Sequence, residues 1–350
     1  MAALCCVLSL CATSCNDSII YENEGDCSPH VQFVFKKHRQ ALHSVAGRES
    51  DAFYSSVTSV HLFVFDEATD QLVLEKIEKT ENLQSAQEIK LGSGEDRCFM
   101  SVDLKPGKYR FIAWCGLDDN DHNNAFQLHD DITKSGAYKE CRVKTDASTG
   151  HPFSTEKYES LYHGKTEGVE ITITSDNSTI IPVELTKDTN DIAVWVQHMS
   201  KSMSDEEYEI VYTDANGSMH FDDNSISDSR KLEYHAHTRS VLESNTEFNG
   251  ETVKAGALVA HISTARLMQA NKNDARLEVR HRPSGTTVFS IPLIQYLLQM
   301  QTFTIDGQYY LDCEDTYNCS FYLTGEDEAL MPYQIIINNW VIVPEQNSDI

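Results

Sequence analysis

Basic residues are scarce in this sequence. Its 28 lysines and arginines stand against 54 aspartates and glutamates, which gives a formal net charge of −26 over 350 residues. Binding to nucleic acid or to an anionic lipid surface requires clustered positive charge, so this composition argues against both partners. Long hydrophobic runs are missing too. No stretch of 18 or more apolar residues occurs, and no segment is predicted to cross a bilayer as a helix.

The common catalytic signatures are also missing. The sequence contains no G-x-S-x-G nucleophile elbow, no H-E-x-x-H zinc motif and no C-x-x-C pair. Gly164-Lys165-Thr166 resembles the end of a P-loop, but the leading glycine of that motif would fall on Glu159, so a surface loop is predicted there. With 54 acidic residues, pairs of carboxylates are uninformative. We therefore predict that the protein is not an enzyme.

The N-terminal segment has the form of an export signal. The run MAALCCVLSLCATSC is apolar, ends in small residues and is followed by polar residues. A cysteine directly after small residues resembles the lipobox of bacterial lipoproteins, in which that cysteine becomes the acylated N-terminus. This predicts a signal peptide over residues 1–14, acylation of Cys15 and an acidic tether over residues 15–30. No Lys or Arg precedes Lys36, so a basic start of the signal is expected upstream of Met1. An N-terminal segment with incidental cysteines is the alternative.

Six cysteines remain after this predicted cleavage, and an even number suits an oxidising compartment. Disulfides are therefore candidates among Cys27, Cys98, Cys115, Cys141, Cys313 and Cys319. Six cysteines allow 15 pairings, and the sequence does not choose among them. Cys313 and Cys319 are close enough to clip a loop or hairpin. A zinc site at these two cysteines is disfavoured, because no histidine or second cysteine pair follows at zinc spacing.

Strand signals dominate the chain after residue 30. Short β-branched and aromatic runs include VQFVF, VTSVHLFVF, KYRFIAWC, NDIAVWVQH, RLEVRHR, TTVFSI and CSFYLT. The best helical signal is PLIQYLLQM, which Pro292 opens. Many short strands with few short helices predict an all-β fold of β-sandwiches. The length suggests two domains, and we place them at residues 31–185 and 186–350.

Turn signals predict three hairpins. Pro106-Gly107 separates CFMSVDL from KYRFIAWC, Asp176-Asn177 separates VEITITS from TIIPVEL, and Asn216-Gly217 separates EYEIVYT from SMHF. Pro182 interrupts one of these strands, which predicts a sheet edge or a bulge at that position.

One acidic loop, LDDNDHNNAFQLHDD, is a weak calcium candidate. If Asp119 takes the first position of a calcium loop, Asp121 and Asn123 take the third and fifth and Asp130 takes the twelfth. The sixth position is Asn124 rather than glycine, and the twelfth is not the usual glutamate. A solvated loop is the favoured interpretation, and no other metal site or cofactor is predicted.

Histidines and tryptophans give further weak candidates. His235 and His237 share one face of a predicted strand, but no third ligand is nearby in sequence, so surface histidines are favoured over a metal site. Trp114, Trp195 and Trp340 all lie in apolar strand runs, which favours a core role over a platform for stacking sugars.

Several motifs in fixed order resemble a known family. They are the lipobox with Cys15, the acidic tether, Asp26-Cys27, VTSVHLFVFDEATDQLV, LKPGKYRFIAWCGL, His163-Gly164, LTKDTNDIAVWV and the closing INNWVIV. Over about residues 15–343 the chain resembles the FimB/Mfa-type anchor subunits of the Bacteroidetes fimbrillin superfamily. No single motif is diagnostic, and the resemblance depends on their order and spacing.

The resemblance implies two transthyretin-like β-sandwich domains in tandem and a lipid anchor at Cys15 in the cell outer membrane, exposed at the surface. It implies a non-enzymatic role, which is to hold a type V fimbria (pilus) at the cell surface and to limit its length. The implied partners are fimbrial shaft pilin subunits, which dock through strands. A surface glycan-binding lipoprotein with aromatic side chains on its loops is the alternative, and a secreted hydrolase has no supporting motif.

The C-terminal run YQIIINNWVIV is apolar on both faces of a predicted strand. Left as an exposed edge, such a strand is an aggregation hazard. It is therefore expected either to be buried in its own sandwich, which is the default, or to complete a partner by strand exchange.

Overall fold

A computed structural model describes residues 28–35, 44–45, 48–49, 53–92, 97–120, 123–129, 140–146, 152–172, 179–220, 231–248, 250–300, 306–326 and 329–342. The predicted signal peptide, the predicted acylation site Cys15, most of the predicted tether and Cys27 lie outside the described residues, as do Asp121 and Asp130 of the calcium candidate. Among the described residues, no helix has both the length and the apolar character needed to cross a membrane.

Strands make up most of the described chain. The part up to Lys187 contributes β1 (His30–Phe35), β2 (Ser44–Val45), β3 (Arg48–Glu49), α1 (Phe53–Ser56), β4 (Ser59–Asp66), β5 (Gln71–Lys79), β6 (Gln84–Ser85), β7 (Arg97–Ser101), β8 (Gly107–Cys115), β9 (Phe126–His129), β10 (Glu140–Val143), β11 (Phe153–Ser154), β12 (Tyr162–Ile171) and β13 (Ile180–Lys187).

The remaining part contributes β14 (Thr189–His198), β15 (Tyr208–Asp214), β16 (Ser218–His220), β17 (Leu232–His235), β18 (Thr238–Phe248), β19 (Glu251–Ala265), β20 (Arg276–His281), β21 (Thr286–Ile291), α2 (Leu293–Gln299), α3 (Gly307–Cys313), β22 (Thr316–Glu326), β23 (Ala329–Ile337) and β24 (Trp340–Ile342). The predicted all-β fold with few short helices is confirmed, including the helix that follows Pro292.

The first half forms one eight-stranded sheet in the order β5-β4-β8-β12-β13-β1-β7-β6. Val60 and Phe111, from strands near one end of the sheet, are fully buried in the same core as Phe33 and Met100, from strands near the other end. Because side chains from both ends meet in one core, the sheet folds over itself into a sandwich.

The second half packs two sheets face to face. One has the order β18-β19-β14-β22-β23-β24 and the other has the order β11-β17-β15-β20-β21. Phe289 of the second sheet and Phe321 of the first pack with ring centroids 5.2 Å apart, and both belong to the core between the sheets. This is the layered packing expected of a β-sandwich.

The two halves share apolar contacts. Val60, Leu62 and Val64 of β4 point into the first core, whereas Phe63 and Phe65 of the same strand belong to the second core. Because side chains alternate along a strand, β4 is buried on both faces. Short strands also pair between the two halves, since β10 of the first half pairs with β16 of the second and β11 pairs with β17. The halves are therefore packed against each other.

The predicted hairpin around Pro106-Gly107 is wrong. β7 pairs with β1 and β6, whereas β8 pairs with β4 and β12. A Pro-Gly turn makes the chain change direction, but it does not select the neighbour of the next strand. Here the segment after β7 leads the chain to another part of the sheet, where β8 buries both of its faces.

The predicted Asn216-Gly217 hairpin is also wrong. β15 pairs with β17 and β20, and β16 pairs with β10. Asn216 is buried, and its side-chain amide donates hydrogen bonds to the carbonyls of Ala265 and Arg266 at 3.0 Å while its oxygen accepts one from Tyr234 at 2.6 Å. These tertiary bonds hold the Asn-Gly segment in a conformation that sends the chain to another sheet.

The predicted hairpin of VEITITS with TIIPVEL is wrong for the described residues. β12 and β13 are antiparallel neighbours, but the residues of β12 that pair with β13 precede VEITITS, and Val169–Ile171 pair with β8 instead. Their turn at 176–177 lies outside the described residues. Pro182 lies in β13, which is not an edge strand of the sheet. The β12–β13 pairing covers only Tyr162–Gly164 against Leu185–Lys187, so at Pro182 the backbone pairs with β1 alone. That local edge tolerates the missing N–H.

Candidate functional site

The C-terminal run forms a hairpin, and the prediction of a single strand is wrong. Asn338 and Asn339 both have positive φ, 46° and 70°, which is the geometry of a two-residue type I′ turn. Ile337 pairs with Trp340 across that turn. The Asn338 side-chain oxygen accepts a hydrogen bond from the backbone N–H of Asn318 at 2.8 Å, which fixes the turn to β22. An Asn-Asn pair between apolar runs is the signal that would have predicted it.

This hairpin places apolar side chains at the edge of the six-stranded sheet. β24 is the last strand in the sheet order of the described residues. Ile335 and Ile337 are buried in the core, whereas Met331 is 60% exposed, Tyr333 62%, Trp340 63% and Val341 58%. We call Met331, Tyr333, Trp340 and Val341 the docking edge. Exposed apolar clusters on an edge strand are typical of surfaces that pair with another chain.

β5 is an edge strand of the eight-stranded sheet and differs from β24. Val73 and Ile77 of β5 are exposed, at 48% and 37%. Charged residues separate them, and the Lys76 ammonium lies 3.7 Å from the Glu78 carboxylate. Charged side chains along an edge oppose pairing with a further strand. β24 has the sequence Trp-Val-Ile and no charge, and no further strand of the described residues pairs with it, so its edge suits pairing with another chain where β5 is protected.

The three tryptophans lie in three different environments. Trp114 is fully buried, which agrees with the predicted core role and excludes it as a sugar-stacking platform. Trp195 is half-buried on β14. Trp340 is mostly exposed on the docking edge, so the predicted core role is wrong for this residue.

The segment between β13 and β14 is buried and polar. We call residues 186–190 the junction. Its centre, Asp188, is fully buried, and its carboxylate lies 2.8 Å from His163 Nδ1. The Asp188 N–H donates to the carbonyl of Leu161 at 2.8 Å, and the His163 ring packs 5.4 Å from the Trp114 ring. A buried hydrogen bond between two polar side chains holds both partners in one geometry.

Further polar contacts fix the junction to the second half. Lys187 and Asp315 form an ion pair at 2.7 Å and both are largely buried. The Asn190 side chain donates to the carbonyl of Glu314 at 3.1 Å and accepts from the backbone N–H of Leu267 at 3.0 Å. Sequence analysis placed a domain boundary here but did not predict these contacts, because they join residues about 75–130 positions apart.

Arg266 adds a second largely buried ion pair nearby. Its Nε and Nη2 donate to the two carboxylate oxygens of Asp312 on α3 at 2.7 and 2.6 Å. The two-point geometry suits a guanidinium and fixes the orientation of both side chains. Asp312 Oδ1 also accepts from the Gln308 amide at 2.9 Å. α3 is therefore fixed to the segment that directly follows β19.

The calcium candidate is not assembled within the described residues. The Asn123 side-chain oxygen accepts from the N–H groups of Ala125 and Phe126 at 3.0 and 2.8 Å, so it caps a buried turn. Asp119 is exposed on the same loop. Within the described part of the chain, no group of three or more His, Cys, Asp or Glu side chains could hold a metal ion.

This loop borders a cavity of about 960 Å³. Lysines, carboxylates, amides and hydroxyls line most of it, with Val57 and Leu117 as apolar members. No aromatic residue belongs to the described lining, so the cavity offers no stacking surface for a sugar ring.

The predicted histidine pair lies at the surface of the second half. His235 Nε2 is 3.2 Å from the Glu233 carboxylate, and the His237 ring is 6.4 Å from the His261 ring. Burial lowers the pKa of His237, and the neighbouring His261 acts in the same direction. These contacts are a local hydrogen bond and ring packing.

Four of the six candidate disulfide cysteines have described side chains, and none of these four is bonded to another. Cys313 ends α3 and Cys319 is fully buried in β22, so the predicted clip between them is not formed in the structure. Burial raises the pKa of Cys319 to about 12 and raises that of Cys115 further. Buried thiols with raised pKa values are poor nucleophiles. Cys27 and the side chain of Cys141 lie outside the described part.

The comparisons with known proteins give one matching family model and several solved structures of the same fold. Residues 23–345 match the family described as "Fimbrillin-A associated anchor proteins Mfa1 and Mfa2". The minor fimbrium anchoring subunit Mfa2 of Porphyromonas gingivalis is 22% identical over 333 residues, which cover 93% of this chain and 89% of that protein. The solved structure of the fimbrial anchor protein Mfa2 from the same species has a TM-score of 0.59 at 18% identity, and covers 90% of this chain and 98% of that chain.

Two solved structures from Bacteroides thetaiotaomicron share the fold. A candidate adhesin has a TM-score of 0.69 at 24% identity and covers 90% of this chain and 98% of its own. A candidate polysaccharide-binding protein has a TM-score of 0.67 at 23% identity and covers 92% of this chain and all of its own. At these identities the similarity shows the fold alone.

Proposed function

We propose that this chain, which belongs to the family of fimbrillin-A associated anchor proteins Mfa1 and Mfa2, holds a fimbrium at the bacterial cell surface without catalysing a reaction. The observation that carries the proposal is the docking edge. Its uncharged edge strand and exposed Trp340 and Val341 suit pairing with a strand of a fimbrial shaft pilin. In such β-augmentation, main-chain hydrogen bonds supply affinity and alternate side chains supply specificity.

The finer parts of the proposal follow from the sequence. Acylation of Cys15 would attach the chain to the outer membrane, and the acidic tether would extend the folded part from the lipid surface. A fimbrium that has docked to an anchor has a fixed base, so we propose that docking also limits fimbrial length. Exposed aromatic and aliphatic side chains at the centre of an interface commonly dominate its binding energy.

The docking edge is tested by Val341→Glu in the native host. A charge at this position opposes strand pairing without entering the core, because Val341 is 58% exposed. The expected result is normal amounts of anchor in the membrane, with fimbriae shed into the medium and longer than in the wild type. Immunoblots of cell and medium fractions and electron microscopy of fimbriae measure this.

The matched control is Val73→Glu, which puts the same charge on the protected edge β5, where Val73 is 48% exposed. This variant should retain fimbriae. If Val341→Glu keeps its fimbriae, or if Val73→Glu sheds them equally, the docking edge is not the attachment surface.

The lipid attachment is tested separately by Cys15→Ala. The expected result is release of the anchor from the membrane together with its fimbriae. If the protein leaves the membrane while fimbriae stay attached, Cys15 carries the lipid anchor but the proposed anchoring function is wrong.

Binding of a polysaccharide is the second candidate function. It is favoured by the fold shared with the candidate polysaccharide-binding protein and by the polar cavity near Asn123. The buried position of Trp114 removes the aromatic platform on which the sequence-based version of this function depended. Affinity electrophoresis on polysaccharide gels tests it, and an unchanged mobility on every polysaccharide would count against it.

A further inference from the structure

The strand order connects the tether to the docking edge through two parallel strand pairs and the junction. We infer that these elements, β1 with β13, the junction and β14 with β22, form a tension path that resists pulling on the fimbrium. The inference rests on the proposed anchoring function, because only an anchor is pulled between its N-terminal tether and its C-terminal hairpin.

The first parallel pair lies next to the tether. The tether leads into β1 at His30, and six residues of β1, from His30 to Phe35, pair in parallel with Ile180–Leu185 of β13. The chain leaves β13 at Lys187. In a parallel pair the strand starts lie side by side, so forces at His30 and Lys187 act at opposite ends of the pair. The strands must then slide past each other, and their hydrogen bonds share the load.

The second parallel pair repeats this arrangement. Only Asp188 separates β13 from β14. Eight residues of β14, from Asp191 to His198, pair in parallel with Thr316–Leu323 of β22. The chain leaves β22 at Glu326 and continues into the docking hairpin. Tension therefore enters β14 at its start and leaves β22 at its end, which again loads the pair along the strands.

The junction prevents the two pairs from swinging apart under load. Lys187, at the end of β13, is paired at 2.7 Å with Asp315, which directly precedes β22. The Asn190 side-chain amide donates a hydrogen bond to the carbonyl of Glu314, the residue before Asp315, at 3.1 Å. These contacts join the end of the first pair to the start of the second without a free linker, and Asp188 between them is fully buried.

Elements outside the path are joined differently. The longest hairpin, β18 with β19, pairs over eleven residues but is antiparallel and lies on the other side of β14 from β22. Tension between the tether and the docking hairpin does not pass through it. It therefore provides an internal control within the same sheet.

A reversible crosslink tests the path on the purified chain with pulling handles at its two termini. Gln32 of β1 lies opposite Pro182 of β13. Gln32→Cys with Pro182→Cys would join these strands by a disulfide, since adjacent strands bring Cα atoms within disulfide range. Under constant tension, oxidation is expected to lengthen the lifetime of the folded chain by about tenfold or more, because forced unfolding follows the unfolding rate. Reduction should restore the original lifetime.

The matched control crosslinks Ser240 of β18 to Val259 of β19, which also lie opposite each other. Its oxidation should leave the lifetime unchanged. Equal lifetimes for the oxidised and reduced β1–β13 variant, or an equal gain from the β18–β19 crosslink, would overturn the inference.

Lys187→Met tests the junction in the same apparatus. Breaking a buried ion pair should shorten the lifetime roughly a hundredfold. Lys165→Met removes a partly exposed lysine from the neighbouring strand β12 and should change little. If Lys187→Met does not fold, the crosslinked variants still test the tension path, because they keep the junction intact. No fimbria is used, so a negative result leaves the docking experiment untouched, and the reverse also holds.

Discussion

At the scale of single residues, Asp214 is a carboxyl buried in the second half. Its carboxylate accepts hydrogen bonds from the Tyr212 hydroxyl at 2.8 Å, the Ala215 N–H at 2.7 Å and the Asn271 amide at 2.6 Å. Burial nevertheless raises its pKa to about 6, and nearby Asp274 acts in the same direction. Three neutral donors do not offset the cost of removing the charge from water.

This shift predicts how stability depends on pH. A carboxyl whose pKa is higher in the folded state than in the unfolded chain stabilises the fold fully below the unfolded pKa, near 4. It loses that contribution as the pH rises through 6. The loss should reach about 3 kcal/mol. Asp214→Asn removes the titration and can keep the hydrogen bonds, so its free energy of unfolding should rise relative to that of the wild type between pH 4 and pH 7.

Urea unfolding of both proteins across that range measures the difference. Exposed Asp103 supplies the control. The free energy of unfolding of Asp103→Asn should differ from that of the wild type by the same amount at every pH. A constant offset between Asp214→Asn and the wild type would show that Asp214 does not titrate in this window.

Gly164 is a second residue-level constraint. A side-chain Cβ at this position would collide with the carbonyl oxygen of Glu184, because the β12 and β13 backbones approach closely there. Gly164→Ala should therefore lower the free energy of unfolding by about 3 kcal/mol. Gly285 has φ of 69° and open space around it, so Gly285→Ala should cost only about 1 kcal/mol. Equal losses in urea unfolding would contradict the close-contact explanation.

At the scale of elements, the sequence predicted which segments are strands better than it predicted their neighbours. Runs such as VQFVF and KYRFIAWC became β1 and β8, because alternating apolar residues need a sheet with buried faces. Pro106-Gly107 and Asn216-Gly217 both marked a change of direction, but tertiary contacts chose the partner strand. The docking edge was missed because Asn338-Asn339 was counted as part of a strand, although both asparagines adopt the left-handed conformation.

The turn itself gives a prediction about docking. Asn339 has φ of 70°, where a β-branched residue is strained and glycine is favoured. Asn339→Val should loosen β24 and shed fimbriae, with little change in overall stability, because β24 is only three residues long. Asn339→Gly should keep the hairpin and the fimbriae. Trp340 and Ile342 occupy the hydrogen-bonded positions opposite β23, so amide exchange of these two residues and counts of attached fimbriae measure both effects. If the β24 amides of Asn339→Val exchange as slowly as those of the wild type while fimbriae are lost, the loss does not come from a loosened turn.

At the scale of the whole molecule, the sequence predicted an all-β fold with two sandwiches, and the sheets change between Lys187 and Thr189, close to the proposed boundary. It did not predict that the halves share apolar contacts. Phe63 and Trp114 come from the first half yet belong to the core that contains Val196 and Tyr212 of the second. A period-2 pattern shows that a strand face is buried, but not which sheet covers it.

These shared contacts predict that the chain unfolds as one unit. Trp114, fully buried in the shared core, and the junction at Asp188 couple the halves, so calorimetry of the wild type should show one transition. Trp114→Ala should cost about 3–5 kcal/mol and split that transition in two, since it removes the largest side chain of the contact. Trp195→Ala, a half-buried change within the second half, should shift the transition without splitting it. Two transitions in the wild type would instead mean that residues 31–185 and 186–350 fold independently, and the junction could then not transmit tension as a rigid connection.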